Sequence, residues 1–432
     1  MSEVKTNSNP RIEEGTMVDR FKVGRRIGAG GYGDIYVVYD TKDHNKEYAM
    51  KMESMSAKQR SLEDELRILI QLKKIKYFPE ILFDSYTKEY QYVVMELLGP
   101  SLSELRKAVP NKRFSLPTTL LLALESLKAI EKFHDKGYVH RDIKPCNFVL
   151  RPNREYPVVL LDFGISMKYI NMSNRSHIQM TKSNLFVGTC RYGSIYAHDG
   201  YQQSRRDDLF SWLYTVIEFI DTKLPWPGKR DREQTIKIKK SITPKKLCAS
   251  LPSEFVEIYK HIKSLDFADK PNYELIKSLI QKAMKKAKNP SNKYDWELLD
   301  ENDVDKISAI PLTEEGMKKM QEKREKELAI EESGAKIDES ETKSDKNEEV
   351  RLDNEPADQK IENESRSNEI PDQVEMEGDI TQDEFDALMN PSQEIDCDST
   401  AEIYEKIKEE STIIQEEEEE EVANGGCGCN IA

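Results

Sequence analysis

The stretch HRDIKPCNFVLRPNREYPVVLLDFG, residues 140–164, limits what this chain can become more than any other. It sets Asp142, Lys144 and Asn147 on one short polar loop. The run VVLLDF then reads as a buried strand that delivers a second carboxylate, Asp162, to a D-F-G loop. Two separated carboxylates, one amide and one lysine are the parts that phosphoryl transfer needs. Asp142 is placed to orient the attacking hydroxyl as its base. Asp162 and Asn147 are placed to hold Mg²⁺ against the phosphates. H-R-D-x-x-x-x-N and D-F-G stand in the order this chemistry uses.

Charge divides the chain unevenly. Residues 1–300 carry a net charge of +13 and residues 301–432 one of −28. The acidic character of the whole therefore belongs to its last third. That segment has only Phe385 and Tyr404 as aromatics, too little apolar surface to offset chain entropy, so 296–432 is expected to be disordered. Residues 1–18 read as a loose arm, leaving 19–295 to fold as one catalytic unit. The polar N-terminal stretch carries no signal peptide pattern, no run approaches a membrane span, and Cys146, Cys190 and Cys248 have no zinc-type spacing. A cytoplasmic location with reduced thiols is expected.

FKVGRRIGAGGYGDIYVVYD alternates like a hairpin with a glycine-rich turn. Gly28, Gly30 and Gly33 match G-x-G-x-x-G, which dinucleotide-binding folds share, but those folds open a helix after the glycines and here DIYVVYD continues as strand. A hairpin covering phosphates is the reading, with Ile27, Gly28, Ala29, Gly30, Gly31, Tyr32, Gly33, Asp34 and Ile35 as its nucleotide-side residues. KEYAMKME is a strand carrying Lys51. The helix after it, SLEDELRILIQLKKI, has Leu62, Leu66, Leu69 and Ile70 as its apolar stripe. Glu65 is the expected partner of Lys51 in an ion pair that positions the phosphates; Glu63 is the other carboxylate the helix offers. In QYVVMELLGPSL, Met95 borders the adenine pocket, and Glu96, Leu97 and Leu98 form a hinge, with Glu96 and Leu98 as base contacts. LPTTLLLALESLKAIEKFHDKG is a buried helix with a glycine stop. Lys144, two residues after Asp142, is placed to meet the transferring phosphoryl group. Asp208 is read as holding the backbone of the 140–147 loop, as a helix-start carboxylate, or as both.

These segments together resemble the casein kinase 1 family of protein kinases, over residues of about 19–295. The resemblance rests on IGAGGYGDIY, VMELLGPSL, HRDIKPCNF, GTCRYGSI, and QSRRDDLFSW with LPWPG. EYAMKMES, KRFSLPTTL and RDREQ are most similar to the tau-tubulin kinase branch. Ser194 to Tyr196 read S-I-Y where most kinases have A-P-E, similar to the S-I-N of the family. The resemblance implies an α+β bilobal fold, a small β-rich lobe on a larger helical one. It also implies ATP with Mg²⁺ and serine or threonine acceptors in acidic or already phosphorylated proteins, acted on by a monomer with no nucleic-acid partner. In the family, basic groups beside the activation segment bind an anion. Arg191 matches one of them; the second falls on Thr235, with Arg230 and Arg232 close by. The competing reading is a pseudokinase scaffold that binds partners through the acidic tail, against which Lys51, Asp142, Asn147 and Asp162 all stand.

The last residues, GGCGCNIA, fit C-a-a-X, with Cys429 as the prenylated cysteine and Cys427 as a second acylation position. Membrane association through these lipids is the expectation, opposed by the six glutamates at 416–421 near an anionic surface.

Overall fold

The structure is a computed structural model that describes residues 12–30, 33–43, 46–57, 61–151, 157–171, 173–183, 185–226, 232–287, 293–299 and 322. The N-terminal arm, the acidic tail, Gly31 and Tyr32, and Cys427 and Cys429 lie outside these residues, apart from Ile12 to Val18 of the arm and Glu322 of the tail.

The smaller lobe is one antiparallel sheet of β1 (Met17–Val18), β2 (Phe21–Gly30), β3 (Gly33–Asp40), β4 (Lys46–Ser54), β5 (Ile81–Tyr86) and β6 (Tyr90–Glu96). Its order is β1-β2-β3-β4-β6-β5. Period-two alternation gives the central strand β4 two different faces. Met50 and Met52 point into a core with Phe21, Val38, Tyr92 and Val94. Lys51 and Glu53, equally buried, point the other way. Gly33 is obligatory at the hairpin: its φ is 109°, and a Cβ there would sit 2.2 Å from the carbonyl oxygen of Met52.

Helix α1 (Leu62–Leu72) lies against the Lys51 face and connects β4 to β5. Its buried stripe is Leu62, Glu65, Ile68, Leu69 and Leu72. This corrects the expected stripe: Ile70 is 55% exposed and Ile68 takes its place. The helix turns 100° per residue, so Ile68 and not Ile70 continues the row through Leu62 and Glu65.

The larger lobe is helical. It holds α2 (Leu102–Ala108), α3 (Leu116–Asp135), α4 (Ile195–His198), α5 (Arg205–Asp221), α6 (Arg232–Ser241), α7 (Pro244–Leu247), α8 (Glu254–Ser264) and α9 (Tyr273–Ala287). Helix α3 is buried along most of its length, begins at the Ser115 cap, and stops before Gly137 at φ 87°. Two small ribbons pair β7 (Tyr138–Val139) with β10 (Met167–Lys168), and β8 (Phe148–Leu150) with β9 (Val158–Leu160). They bracket the loop after His140 and the loop at Asp162. Trp296, which the sequence reading placed in the tail, belongs to the folded unit and is buried. Trp296 packs edge-on against Phe114 at 5.8 Å, and the Asp295 carboxylate accepts 2.6 Å hydrogen bonds from the Ser115 N–H and hydroxyl.

Candidate active site

Register places the first group of residues. Lys51 is opposite Ile35 on β3 and Val93 on β6, and Ala49 is opposite Val37 and Met95. Directly opposed residues share a face, so Ile35, Val37, Ala49, Val93 and Met95 form an apolar wall around the Lys51 ammonium. Asp34 falls on the opposite face, where its carboxylate accepts from Arg26 Nε at 3.0 Å. Its side chain is therefore not among the groups brought to the cleft.

Lys51 Nζ lies 2.5 Å from Glu65 Oε2, both side chains buried. Glu63, the alternative partner, pairs instead with Arg67 at the surface. Burial opposes the Lys51 charge, but the Glu65 and Asp162 carboxylates outweigh it and hold its pKa above the ordinary lysine value. Helix α1 is also fastened to β4 by Glu53, a residue no motif marks. Its carboxylate accepts from the N–H groups of Ser61 (2.9 Å) and Leu62 (3.2 Å), two donors that a helix start leaves without intrahelical partners. One strand thus carries both the lysine and the cap of the helix that supplies its partner.

The second group sits on the loop after β7. Its backbone hangs on Asp208, whose two oxygens accept from His140 N–H (2.7 Å) and Arg141 N–H (2.8 Å), with His134 Nε2 at 2.8 Å. Burial alone would raise the Asp208 pKa; the His134 imidazole and the N–H donors reverse this and hold it low. Asp208 is also a first-turn carboxylate of α5, beside Asp207, which accepts from the Ser204 N–H at 2.8 Å in the capping box. Phe163 of D-F-G is buried against Phe133, His140 and Phe78, ring centroids 5.1, 5.6 and 5.9 Å away. That packing fixes the loop of Asp162, which itself takes the left-handed backbone with φ 68°. Such a conformation in a non-glycine residue is strained and belongs with functional loops.

Around Asp142 the contacts are dense. Lys144 Nζ is 2.7 Å from Asp142 Oδ2. Burial works against the Lys144 charge; Asp142, then Cys146 and Asp162, more than offset it and raise its pKa. Asn147 Nδ2 donates to the Asp142 carbonyl at 2.9 Å; its amide oxygen, which takes only a weak contact from the Cys146 thiol at 3.8 Å, is the atom that would bind a cation. Thr189 gives Asp142 Oδ1 both its N–H (3.0 Å) and its hydroxyl (2.7 Å). Gly188 makes this approach possible: at φ 103°, a Cβ there would lie 2.3 Å from the Arg141 carbonyl oxygen.

The hinge is tied down as well. The Glu96 carboxylate accepts from Arg151 Nε at 3.1 Å and from the Glu80 N–H at 2.9 Å. Gly99 N–H donates to the Leu150 carbonyl at 2.8 Å, joining the segment after Leu98 to β8. Arg191 is largely buried. Its guanidinium pairs with Glu218 at 3.1 Å, and Arg106 approaches the same carboxylate at 3.6 Å. Thr235 is fully buried, and Arg232 donates to the His198 carbonyl at 2.8 Å. Among the described residues, no group of three or more His, Cys, Asp or Glu side chains forms a metal centre. A cation here would rest on the Asn147 and Asp162 oxygens together with phosphate, which suits Mg²⁺, an ion that takes few protein ligands.

A two-lobed fold, with a lysine–glutamate pair under a glycine hairpin and an Asp–Lys–Asn loop facing D-F-G, defines the class of phosphoryl-transferring domains built for ATP. Residues 21–292 match the protein kinase domain, and the chain belongs to that family. It is 34% identical, over 282 residues, to a probable serine/threonine-protein kinase of Dictyostelium discoideum. The match takes in 65% of this chain and spans 57% of the length of that relative.

Proposed function

We propose that this chain is a serine/threonine protein kinase that transfers the γ-phosphate of ATP to acidic or already phosphorylated proteins. Its motifs suit the casein kinase 1 type, closest to the tau-tubulin kinase branch. The observation that carries the activity is that both halves of the machinery are assembled at once: Lys51 on Glu65, and Lys144 on Asp142. In this reading Asp142 orients the acceptor hydroxyl and takes its proton. Lys51 fixes the α- and β-phosphates, Lys144 meets the γ-phosphate, and the hairpin from Ile27 to Ile35 covers the nucleotide. Asn147 and Asp162 would hold Mg²⁺, which supplies charge neutralisation on the phosphates.

The acidic preference is supported by charge. The guanidinium groups of Arg106 and Arg191 share the single carboxylate of Glu218, leaving one positive charge over beside the substrate loop. Phosphorylation of a peptide array by the purified chain tests the whole reading. Serine and threonine peptides with acid or phosphoserine near the acceptor should be modified, and tyrosine peptides should not. Preference for basic peptides would overturn the substrate assignment.

Lipid attachment at Cys429, strengthened by a second chain on Cys427, would hold the enzyme at membranes on its long tail, since a single chain binds only marginally. In fractionated cells, Cys429→Ser should be released from membranes; a distribution like wild type would sink this part.

A further inference from the structure

Lys239, near the end of α6, belongs to no motif. Its side chain is nevertheless enclosed, with the residue 3% exposed. Nζ donates to the carbonyls of Cys190 at 2.9 Å and Gly193 at 2.7 Å, and lies 3.1 Å from His198 Nε2. The rings of Trp226 and Tyr214 flank it at 4.9 and 5.0 Å. Trp226 adds its own contact, Nε1 donating to the Arg191 carbonyl at 2.8 Å. Three of the four carbonyls at 190–193 are therefore gripped from behind by one layer of side chains.

The gripped segment begins at the residue that touches Asp142. The N–H groups of Tyr192 and Gly193 both donate to the Thr189 carbonyl at 2.9 Å, closing a tight turn. Thr189 in turn places its N–H and hydroxyl on Asp142. The far side of the turn is packed without slack: a Cβ on Gly193 would come within 2.7 Å of the Phe186 ring, which stacks on His198 at 4.8 Å. Burial pulls the Lys239 pKa down to about 7, yet charged or neutral the amine has N–H donors for both carbonyls, so one side chain ties the two ends of the turn together.

We infer that Lys239 is a positioning residue for the protein substrate: by holding the Cys190 and Gly193 carbonyls it fixes the 189–193 turn on which the acceptor segment is presented to Asp142. The inference rests on the kinase reading and names a determinant of its substrate side. All the contacts above lie away from the Lys51 and Glu65 side of the cleft, so loss of Lys239 should separate the two substrates kinetically.

The test uses the full chain and three variants: Lys239→Met, Lys239→Arg, and Ile238→Ala as a buried neighbour on the same helix. Lys239→Met should raise the KM for peptide by roughly tenfold, the scale of two lost hydrogen bonds, with the KM for ATP within about twofold of wild type. Lys239→Arg should recover part of the peptide affinity. Ile238→Ala should lower the melting temperature and leave the peptide KM unchanged. An unchanged peptide KM in Lys239→Met, or an equal rise in Ile238→Ala, would overturn the inference. A second readout does not depend on turnover. Freed of its anchor, the Cys190 thiol should alkylate faster in Lys239→Met than in wild type, while buried Cys248 keeps its rate. Equal Cys190 rates would likewise overturn the anchoring. A wild-type chain without activity would instead strike at the kinase reading itself, and the thiol comparison would still decide whether Lys239 holds the turn.

Discussion

Thr189 closes onto Asp142 twice, through its N–H at 3.0 Å and its hydroxyl at 2.7 Å, both on Oδ1. The second oxygen, Oδ2, is held by Lys144. The carboxylate is thereby fixed in rotation before any acceptor arrives. Fixed orientation of a base is worth up to about a hundredfold per ångström of misplacement. Thr189→Val removes the hydroxyl and keeps the shape. It should lower kcat by roughly tenfold to a hundredfold on that scale, with the ATP KM little changed. Steady-state kinetics with both substrates varied checks this; a kcat equal to wild type would show that the Asp142 rotamer does not depend on Thr189.

Glu53 makes a separate prediction on the nucleotide side. Its carboxylate caps α1 from β4, so the helix bearing Glu65 is tied to the strand bearing Lys51. Glu53→Ala leaves two buried N–H donors uncapped and should cost about 1–3 kcal/mol of stability. The ATP KM should rise as the Lys51–Glu65 pair loosens. Denaturant unfolding and ATP titration measure the two effects. A stability loss with an unchanged ATP KM would separate the cap from the ion pair.

His198 sets an acid limit. Burial, then the Lys239 and Arg232 charges, pull its pKa down to about 3, against 6.5 for the free side chain. The fold therefore favours the neutral ring. The associated stability is fully present above pH 6.5 and is lost as the pH falls from there towards 3, and it is on the order of a few kcal/mol. His198→Gln removes the titration and keeps a side chain able to bond Lys239. Its stability should decline less steeply than wild type between pH 6.5 and 4 in denaturant melts. Parallel pH curves would contradict the assignment.

The local half of this structure is readable in the sequence because its causes are local. The hairpin, α3 with its glycine stop and the strand before D-F-G each follow from a period or a punctuating residue within one segment. The Lys51–Glu65 pair is legible because a strand and the helix after it must pack together. Asp208 on the backbone after His140 is legible once the helix start is placed. Thr189 and Glu53 are harder. Thr189 lies within GTCRYG, yet its bond to Asp142 spans 47 positions, and only the glycine beside it hints at a close approach. Glu53 looks like any carboxylate in an alternating strand until the start of α1 is placed against it. Ile70 and Asp34 fail for a third reason: one step of helix rotation or one strand face separates them from the positions expected, and sequence alone does not fix that phase.

The most direct measurement is phosphate transfer by Asp142→Asn beside wild type, with ATP binding followed on the same preparations. The account predicts that wild type modifies serine or threonine peptides and that the variant loses on the order of 10²–10⁴ in turnover, the usual contribution of an acid–base group. Nucleotide affinity should stay within about twofold, because Asp142 serves the acceptor and not the nucleotide. Equal turnover in the two proteins, or ATP binding by wild type without transfer to any serine or threonine peptide, would contradict it.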